Sequence, residues 1–403
     1  MIGNRMRQAR LAAGLTLDEV AQRLGELGQA ITKQGLSKYE HNGSTPSASL
    51  LLKLARVLTV PSSYFLAEPE LTVQWLAFRK HAQLAPARQE QIKAAALNVA
   101  EGQCWLQSIL YSNDQPRVPA LNISTFDEAE AAALDLRRAW GLGTAPIESV
   151  TQTIEDHGGV IVGWDQDEGR FDGLAAWINQ RAPFIVVNTS TAPDRRRFSL
   201  AHELKHILSP STEPENGDDE ALANRFAGAF LVPAEVARRE LGDRRRHLSF
   251  DELGMLKCKY GLSMQAWTHR ALELDVIDRG QYDRLRAEFV AREATVREPV
   301  ACEAPEEPTR LKQMTLRAFA EGIITEERAL QLCPGCLTPQ PAAQPAGRTY
   351  TARDLLRMPR EERHRILAEA AEAAAEEYRT NPELTEFNAL DSDDWEEWEY
   401  TDE

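Results

Sequence analysis

His202-Glu203-Leu204-Lys205-His206 lies inside a segment, Phe198–Leu208, whose Phe198, Ala201, Leu204 and Leu208 recur at helical spacing. On a helix, positions i and i+4 share a face, so both imidazoles reach one point in space. This pattern constrains the chain strongly. The helix needs a buried side, an apolar strand to lean on, and a further donor from elsewhere if a metal ion is to be held. Zinc in a catalytic setting takes three protein ligands and keeps a fourth position open. Glu203 sits one residue round the helix, beside the metal, where it can take a proton from a water that the metal activates. The alternative is a charged helix face with two solvated histidines. The buried stripe on the same helix and the apolar run ahead of it argue against that.

The third ligand has to come from outside the motif. Glu220 heads the next helix, just after the polar loop Ser209–Asp219. Asn224 lies one turn on and can steady the Glu220 carboxylate. On spacing alone, Asp218 and Asp219 compete with Glu220 for the ligand role.

Around this motif the chain reads as a mixed α/β unit. A helix near Ile147–Asp156 leads through Gly158-Gly159 into the β-branched run Val160–Val162. Gly173–Ile178 and Phe184–Val187 are further strands, the last ended by Asn188. Helices follow at about Arg195–Leu208 and Glu220–Leu231, and helical pattern continues to about Arg292. An extended peptide is expected to pair with an edge strand, for which Gly173–Ile178 is the candidate. His269 and Arg270 are candidates for oxyanion support, with packing or a surface ion pair as the alternative.

The runs Phe-Ile-Val-Val-Asn (184–188), Arg-Arg-Phe-Ser-Leu-Ala-His-Glu-Leu-Lys-His-Ile-Leu (196–208) and Glu-Ala-Leu-Ala-Asn-Arg-Phe-Ala-Gly-Ala-Phe-Leu-Val-Pro (220–233) resemble the ImmA/IrrE metallopeptidases. Tyr-Gly-Leu-Ser-Met-Gln-Ala (260–266) and His-Arg-Ala (269–271) extend the resemblance, which covers roughly residues 120–300. It implies His202, His206 and Glu220 as zinc ligands, with manganese as the other metal to consider, and Glu203 as general base. It also implies a substrate class, a transcriptional repressor cut at a helix-turn-helix or linker segment. Lys205 departs from the family, where many members carry Gly; its helical phase points it away from the metal, so local packing is what the change should affect.

Residues 1–66 read as five short helices. Thr16-Leu17-Asp18-Glu19 is a capping box, Thr32 caps a third helix running to about Asn42, and Pro46 blocks its continuation. This head resembles the XRE (Cro/repressor-like) helix-turn-helix family through Gly14–Ala21, Leu36–Glu40, and Pro46 with Leu50–Leu58. The turn before the third helix is four residues longer than usual, near Gly25–Ala30. Thr32, Lys33, Gln34, Ser37 and Lys38 are the expected DNA contacts, since Gln can read adenine edges and Lys can reach guanine or phosphate. Leu36 and Tyr39 face inward or toward the backbone. The alternative is a protein-interaction module that has lost DNA binding.

Charge supports this division of labour. The chain of 403 residues has a net charge of −16, yet residues 1–66 carry eight Arg/Lys against four Asp/Glu, a net of +4. Residues 381–403 hold ten acids and no base. A basic head and an acidic tail suggest nucleic-acid contact at one end and an interaction role at the other. Leu355–Pro359 through Glu383–Phe387 resembles antitoxin-type chains found beside PIN-like ribonuclease toxins, which implies a toxin partner; a solvated tail is the alternative. The five cysteines form no disulfide framework, and Cys333-Pro-Gly-Cys336 lacks the second pair of a zinc ribbon.

The expected fold is therefore multidomain, mainly α with an α+β core. Residues 1–67 form the helix-turn-helix head. Residues 68–118 are a helical linker whose stripe at Ile92, Ala96, Val99, Gln103, Leu106 and Leu110 is a core face or a dimer seam. Residues 119–300 form the zincin-like peptidase domain. Residues 301–348 are a small helical segment with a flexible spacer, Thr338–Arg348, and residues 349–403 an amphipathic helix with the acidic tail. The expected protein is a cytoplasmic homodimer with no membrane span. It binds an operator in double-stranded DNA and carries an active or latent peptidase in stress, mobile-element or toxin–antitoxin control. The competing expectation is a non-proteolytic antitoxin-like regulator with a structural or sensing zinc domain.

Overall fold

The computed structural model describes residues 2–67, 71–76, 84–111, 118–119, 121–165, 171–210, 217–337, 359–360, 362–368 and 371. Contacts divide the chain into a unit spanning 1–337 and a second spanning 338–403. Within the second, residue 360 and residues 362–368 are helical. The spacer 338–348 and the acidic tail 381–403 lie outside the described residues, as does 113–117.

The head is built from α1 (Ile2–Ala12), α2 (Leu17–Glu26), α3 (Lys33–Glu40), α4 (Ala48–Leu58) and a short 3-10 turn, Ser62–Phe65. Thr16 and Glu19 form the expected capping box, and Thr32 caps α3 by accepting from the Gly35 amide. Met6, Val20, Leu24, Leu36, Leu54 and Phe65 close its core. A bidentate pair, Arg10 to Glu40 at 2.7 and 2.9 Å, ties α1 to α3.

A strand absent from the sequence reading, β1 (Val73–Trp75), follows the head, and α5 (Pro86–Leu110) comes next. Ile92, Ala96 and Ala100 of α5 bury against one face of the sheet, and Leu106 against two later helices. Of the two roles open to this stripe, it serves as a core face in this chain. The middle of α5 also receives the head. Arg5 pairs with Glu101 at 2.6 Å, and Asn98 accepts from Gln8 and from the Tyr64 hydroxyl at 2.8 Å each.

After α6 (Phe126–Ala139) and α7 (Val150–Asp156) come β2 (Val160–Trp164), β3 (Gly173–Ile178) and β4 (Ala182–Asn188). The sheet order is β1-β3-β4-β2, with β2 parallel to β4 and the other neighbours antiparallel. Asn179 and Gln180, at φ of 51° and 56°, are the central residues of the turn between β3 and β4, which the Arg181 amide closes by donating to the Ile178 carbonyl at 3.0 Å. Positive φ at both central positions is what a tight right-twisted hairpin needs. β3 is an inner strand along Ala175–Ile178, because β1 of the same chain lies on its outer side; this corrects the expectation of an edge strand open to a peptide.

Beyond the sheet, α8 (Pro193–Leu208) lies on the face away from α5 and packs against α9 (Gly217–Leu231). Next come α10 (Ala234–Leu241), α11 (Phe250–Tyr260), α12 (Met264–Glu273) and α13 (Arg279–Ala291). Finally α14 (Arg310–Ala320) and α15 (Glu326–Leu332) pack onto α5. Cys333 and Cys336 carry free thiols on the turn after α15, where Gly335 takes a φ of 78°.

The segment between α13 and α14 is fastened by buried acids. Glu298 accepts from the Met264 and Gln265 amides at the start of α12 and pairs with Lys257 at 2.8 Å. Glu306 accepts from the Val150 and Thr151 amides at the start of α7, both at 2.9 Å, and from Arg197 of α8 at 2.6 Å. Helix N-termini present amides with no intrahelical partner, so a carboxylate there satisfies both charge and hydrogen bonds. Glu306 and Arg197 are each about 1% exposed or less, so losing one partner strands the other. Glu306→Ala is expected to destabilise the fold by about 3–5 kcal/mol. Glu307→Ala, whose side chain is 67% exposed, should change it by less than about 1 kcal/mol. Denaturant midpoints of the two variants check the contrast.

Candidate metal centre and DNA face

Helix α8 starts at Pro193, which suits a first helical position, and runs through the motif with Leu200, Ala201, Leu204, Ile207 and Leu208 buried in the main core. That burial fixes the helix rotation, and the rotation aims His202 and His206 at the start of α9. The His202 Nε2 and His206 Nε2 atoms stand 3.2 Å apart. Each lies 3.5 Å from a carboxylate oxygen of Glu220. Among the described residues this is the one cluster of three such donors. Ligand bonds of about 2.0–2.1 Å at tetrahedral angles put donors about 3.3 Å apart. Two imidazole nitrogens and one carboxylate at this spacing fit a divalent ion, which His202, His206 and Glu220 would hold together.

The outer contacts differ from those expected. Asn224 does not steady Glu220; its Oδ1 accepts from His202 Nδ1 at 2.9 Å. That bond places the proton on Nδ1 and leaves the Nε2 lone pair facing the cluster. Asp219 is not a competing ligand. It stands behind His206, with one oxygen 3.1 Å from Nδ1, and its other oxygen accepts from Lys205. Lys205 is fully buried and ion-paired through Asp219 to a member of the cluster, so its substitution for Gly reaches beyond local packing. Arg270 engages Glu130, Glu273 and the Val232 carbonyl, and the half-exposed His269 pairs with Glu273. Both belong to that separate ion cluster, which corrects their candidacy for oxyanion support.

Glu203 rises beside the triangle and lies against Gly173, the first residue of β3. A Cβ at Gly173 would stand 2.9 Å from Glu203 Cγ and 3.3 Å from Oε1. The glycine thus makes room for the acid. Sequence reasoning missed this role, although a glycine heading an apolar strand is a signal for close approach.

The electrostatics of the cluster are those of an anionic nest. Hydrogen bonds from His202 and His206 hold Glu220 well below the usual carboxylate range. Burial works to lower the His206 pKa, but hydrogen bonds to Asp219 and Glu220 override it and push the imidazole up to about 9.

On the head, Thr32, Lys33, Gln34 and Lys38 are exposed and Ser37 half-exposed, while Leu36 is buried. Leu17, Lys33, Gln34, Ser37, Lys38, His41 and Gly43 line one shallow groove. Lys33 also pairs with Asp18 of α2 at 2.6 Å, both side chains more than half exposed. The Thr32 hydroxyl serves as the helix cap.

Residues 6–65 match the family model described as helix-turn-helix, and residues 155–272 match the IrrE N-terminal-like domain of the M78 peptidases. No curated protein matches the chain. No helix among the described residues is long and apolar enough to cross a membrane.

The raised His206 pKa gives a signed expectation. Below about pH 9 the metal-free site holds a proton there, and an ion must displace it to bind. Apparent metal affinity should rise with pH up to about 9 and then level. Calorimetry in buffers of different ionisation heat should register about one proton released per zinc at neutral pH and close to none above that pKa.

Proposed function

From a chain that joins an XRE-type helix-turn-helix domain to an IrrE/ImmA-like peptidase domain, we infer a DNA-binding regulator that acts as a zinc-dependent endopeptidase. One observation carries the reading: the 3.2 and 3.5 Å triangle of His202, His206 and Glu220, with Glu203 beside it. His202, His206 and Glu220 hold the ion, zinc by preference and manganese as the substitute. When bound, the ion supplies Lewis acidity that activates water and polarises a peptide carbonyl. Glu203 takes the proton of the attacking water and returns it to the leaving amine. Asn224 and Asp219 keep the two imidazoles in the tautomer that presents Nε2. The substrate is a repressor, either a partner or this chain itself, and cleavage switches the gene that the head controls. The head acts as a cytoplasmic dimer on an operator.

Glu203→Gln is isosteric and leaves the three donors in place. It should retain about one zinc per chain and lose cleavage by about 10²–10⁴-fold. Metal analysis paired with a time course of chain integrity and of a co-expressed repressor checks this. Zinc in both proteins with cleavage in neither would favour the non-proteolytic, antitoxin-like regulator instead.

For the DNA face, Lys38→Ala should weaken binding to every duplex and reduce the salt slope by about 1. Gln34→Ala should relax base preference at one position. Binding titrations on specific and random duplexes across a salt series separate the two effects.

A further inference from the structure

The sheet beside the candidate centre already carries a peptide. Residues Leu71–Leu76 of the chain lie along β3, with Val73 opposite Ile178, Gln74 opposite Trp177 and Trp75 opposite Ala176. The Leu76 amide donates to the Ala175 carbonyl at 3.0 Å, and the Asn179 amide to the Thr72 carbonyl at 2.8 Å. Side chains alternate between two faces. Val73 and Trp75 pack into the core shared with α5, where the Trp75 ring lies 5.4 Å from Phe184. Leu76 packs into the core on the α8 side.

The direction of this strand matters. It runs antiparallel to β3 and therefore toward Gly173, the residue that touches Glu203. Ala175, opposite Leu76, is two residues from Gly173, about 7 Å along the strand. Any peptide paired on β3 in this register draws level with Glu203 two residues beyond the place that Leu76 holds.

We propose that the outer side of β3 is the docking strand for peptide substrate, and that Leu71–Leu76 is its resident occupant. The side takes an extended segment with bulky apolar side chains at alternate positions, the pattern that Leu71, Val73 and Trp75 display. Main-chain pairing supplies affinity and the alternate side chains supply selectivity. A substrate that pairs along Ala175–Ile178 on its way to Glu203 must displace the chain's own strand, so the head-to-peptidase connection competes with substrate. The word substrate here rests on the peptidase reading above.

The probe is a fluorescein-labelled peptide copying residues 71–80, and the protein is the full zinc-loaded chain carrying Glu203→Gln. Adding Trp75→Ala and Leu76→Pro to the chain weakens the resident strand and should tighten probe binding by about tenfold or more, because the docking strand is then vacant for a larger fraction of time. A probe with Asp in place of its Trp should not bind. Equal affinity for the intact and strand-weakened chains overturns the proposal. A second measurement needs no strand variant. Saturating probe should speed hydrogen exchange of Leu71–Leu76 in the intact chain, and unchanged exchange also overturns the proposal. The two readings fail separately. Probe that binds this way but stays uncut by the Glu203 chain supports the docking strand and counts against the peptidase. Repressor or self cleavage with no probe binding overturns the docking strand alone.

Discussion

Helix α8 is buried along most of its length while carrying Asp194, Arg196, Arg197, His202 and Lys205 on buried positions. Removing such ions from water costs several kcal/mol each unless a partner meets them. Much of the surrounding architecture meets that demand. Lys257 of α11 lies between Asp194 and Glu298, Glu306 answers Arg197, and Asp219 answers Lys205. Segments more than a hundred residues apart are thus drawn onto one helix. The same contacts fix the rotation and height of α8, and those two quantities decide whether His202 and His206 face Glu220.

The parts of this arrangement that were legible in the sequence are those written in local periodicity. The stripe on α8, the β-branched runs of β2 and β4, and the capping box of α2 with the Thr32 cap of α3 each follow from neighbours a few residues away. β1 escaped because three residues of alternation are too few to distinguish from a loop. The three consecutive acids Asp218, Asp219 and Glu220 were ambiguous for a different reason. Spacing from His206 cannot rank them, but a helix turns about 100° per residue. Once α9 begins at Gly217, Glu220 faces both Nε2 atoms and Asp219 meets the far nitrogen of His206. Asn224 was placed near the cluster correctly and assigned the wrong partner, since which of two nearby polar groups it meets depends on the α8–α9 crossing. Glu298 and Glu306 sit in a stretch with no periodicity, and their role depends on which helix starts the fold brings beside them.

Some elements serve two neighbours at once. Helix α5 buries one stripe under the sheet and offers Glu101 and Asn98 to the head. β3 carries Gly173 against Glu203 at one end and the strand from the head on its outer side. The connection between head and peptidase is therefore part of the sheet, and what happens at the sheet's outer side bears on the joint between the two domains.

The head is held on α5 by a nearly buried ion pair and two hydrogen bonds to Asn98, all made by α1 and the residues near Tyr64. The exposed end of α3 takes no part in that contact. A head docked in this way carries the peptidase as fixed cargo, at a set reach from whatever duplex α3 engages. A protein bound to the neighbouring stretch of the same DNA would meet Glu203 at an effective concentration on the order of millimolar, set by geometry and independent of how much of either protein the cell contains.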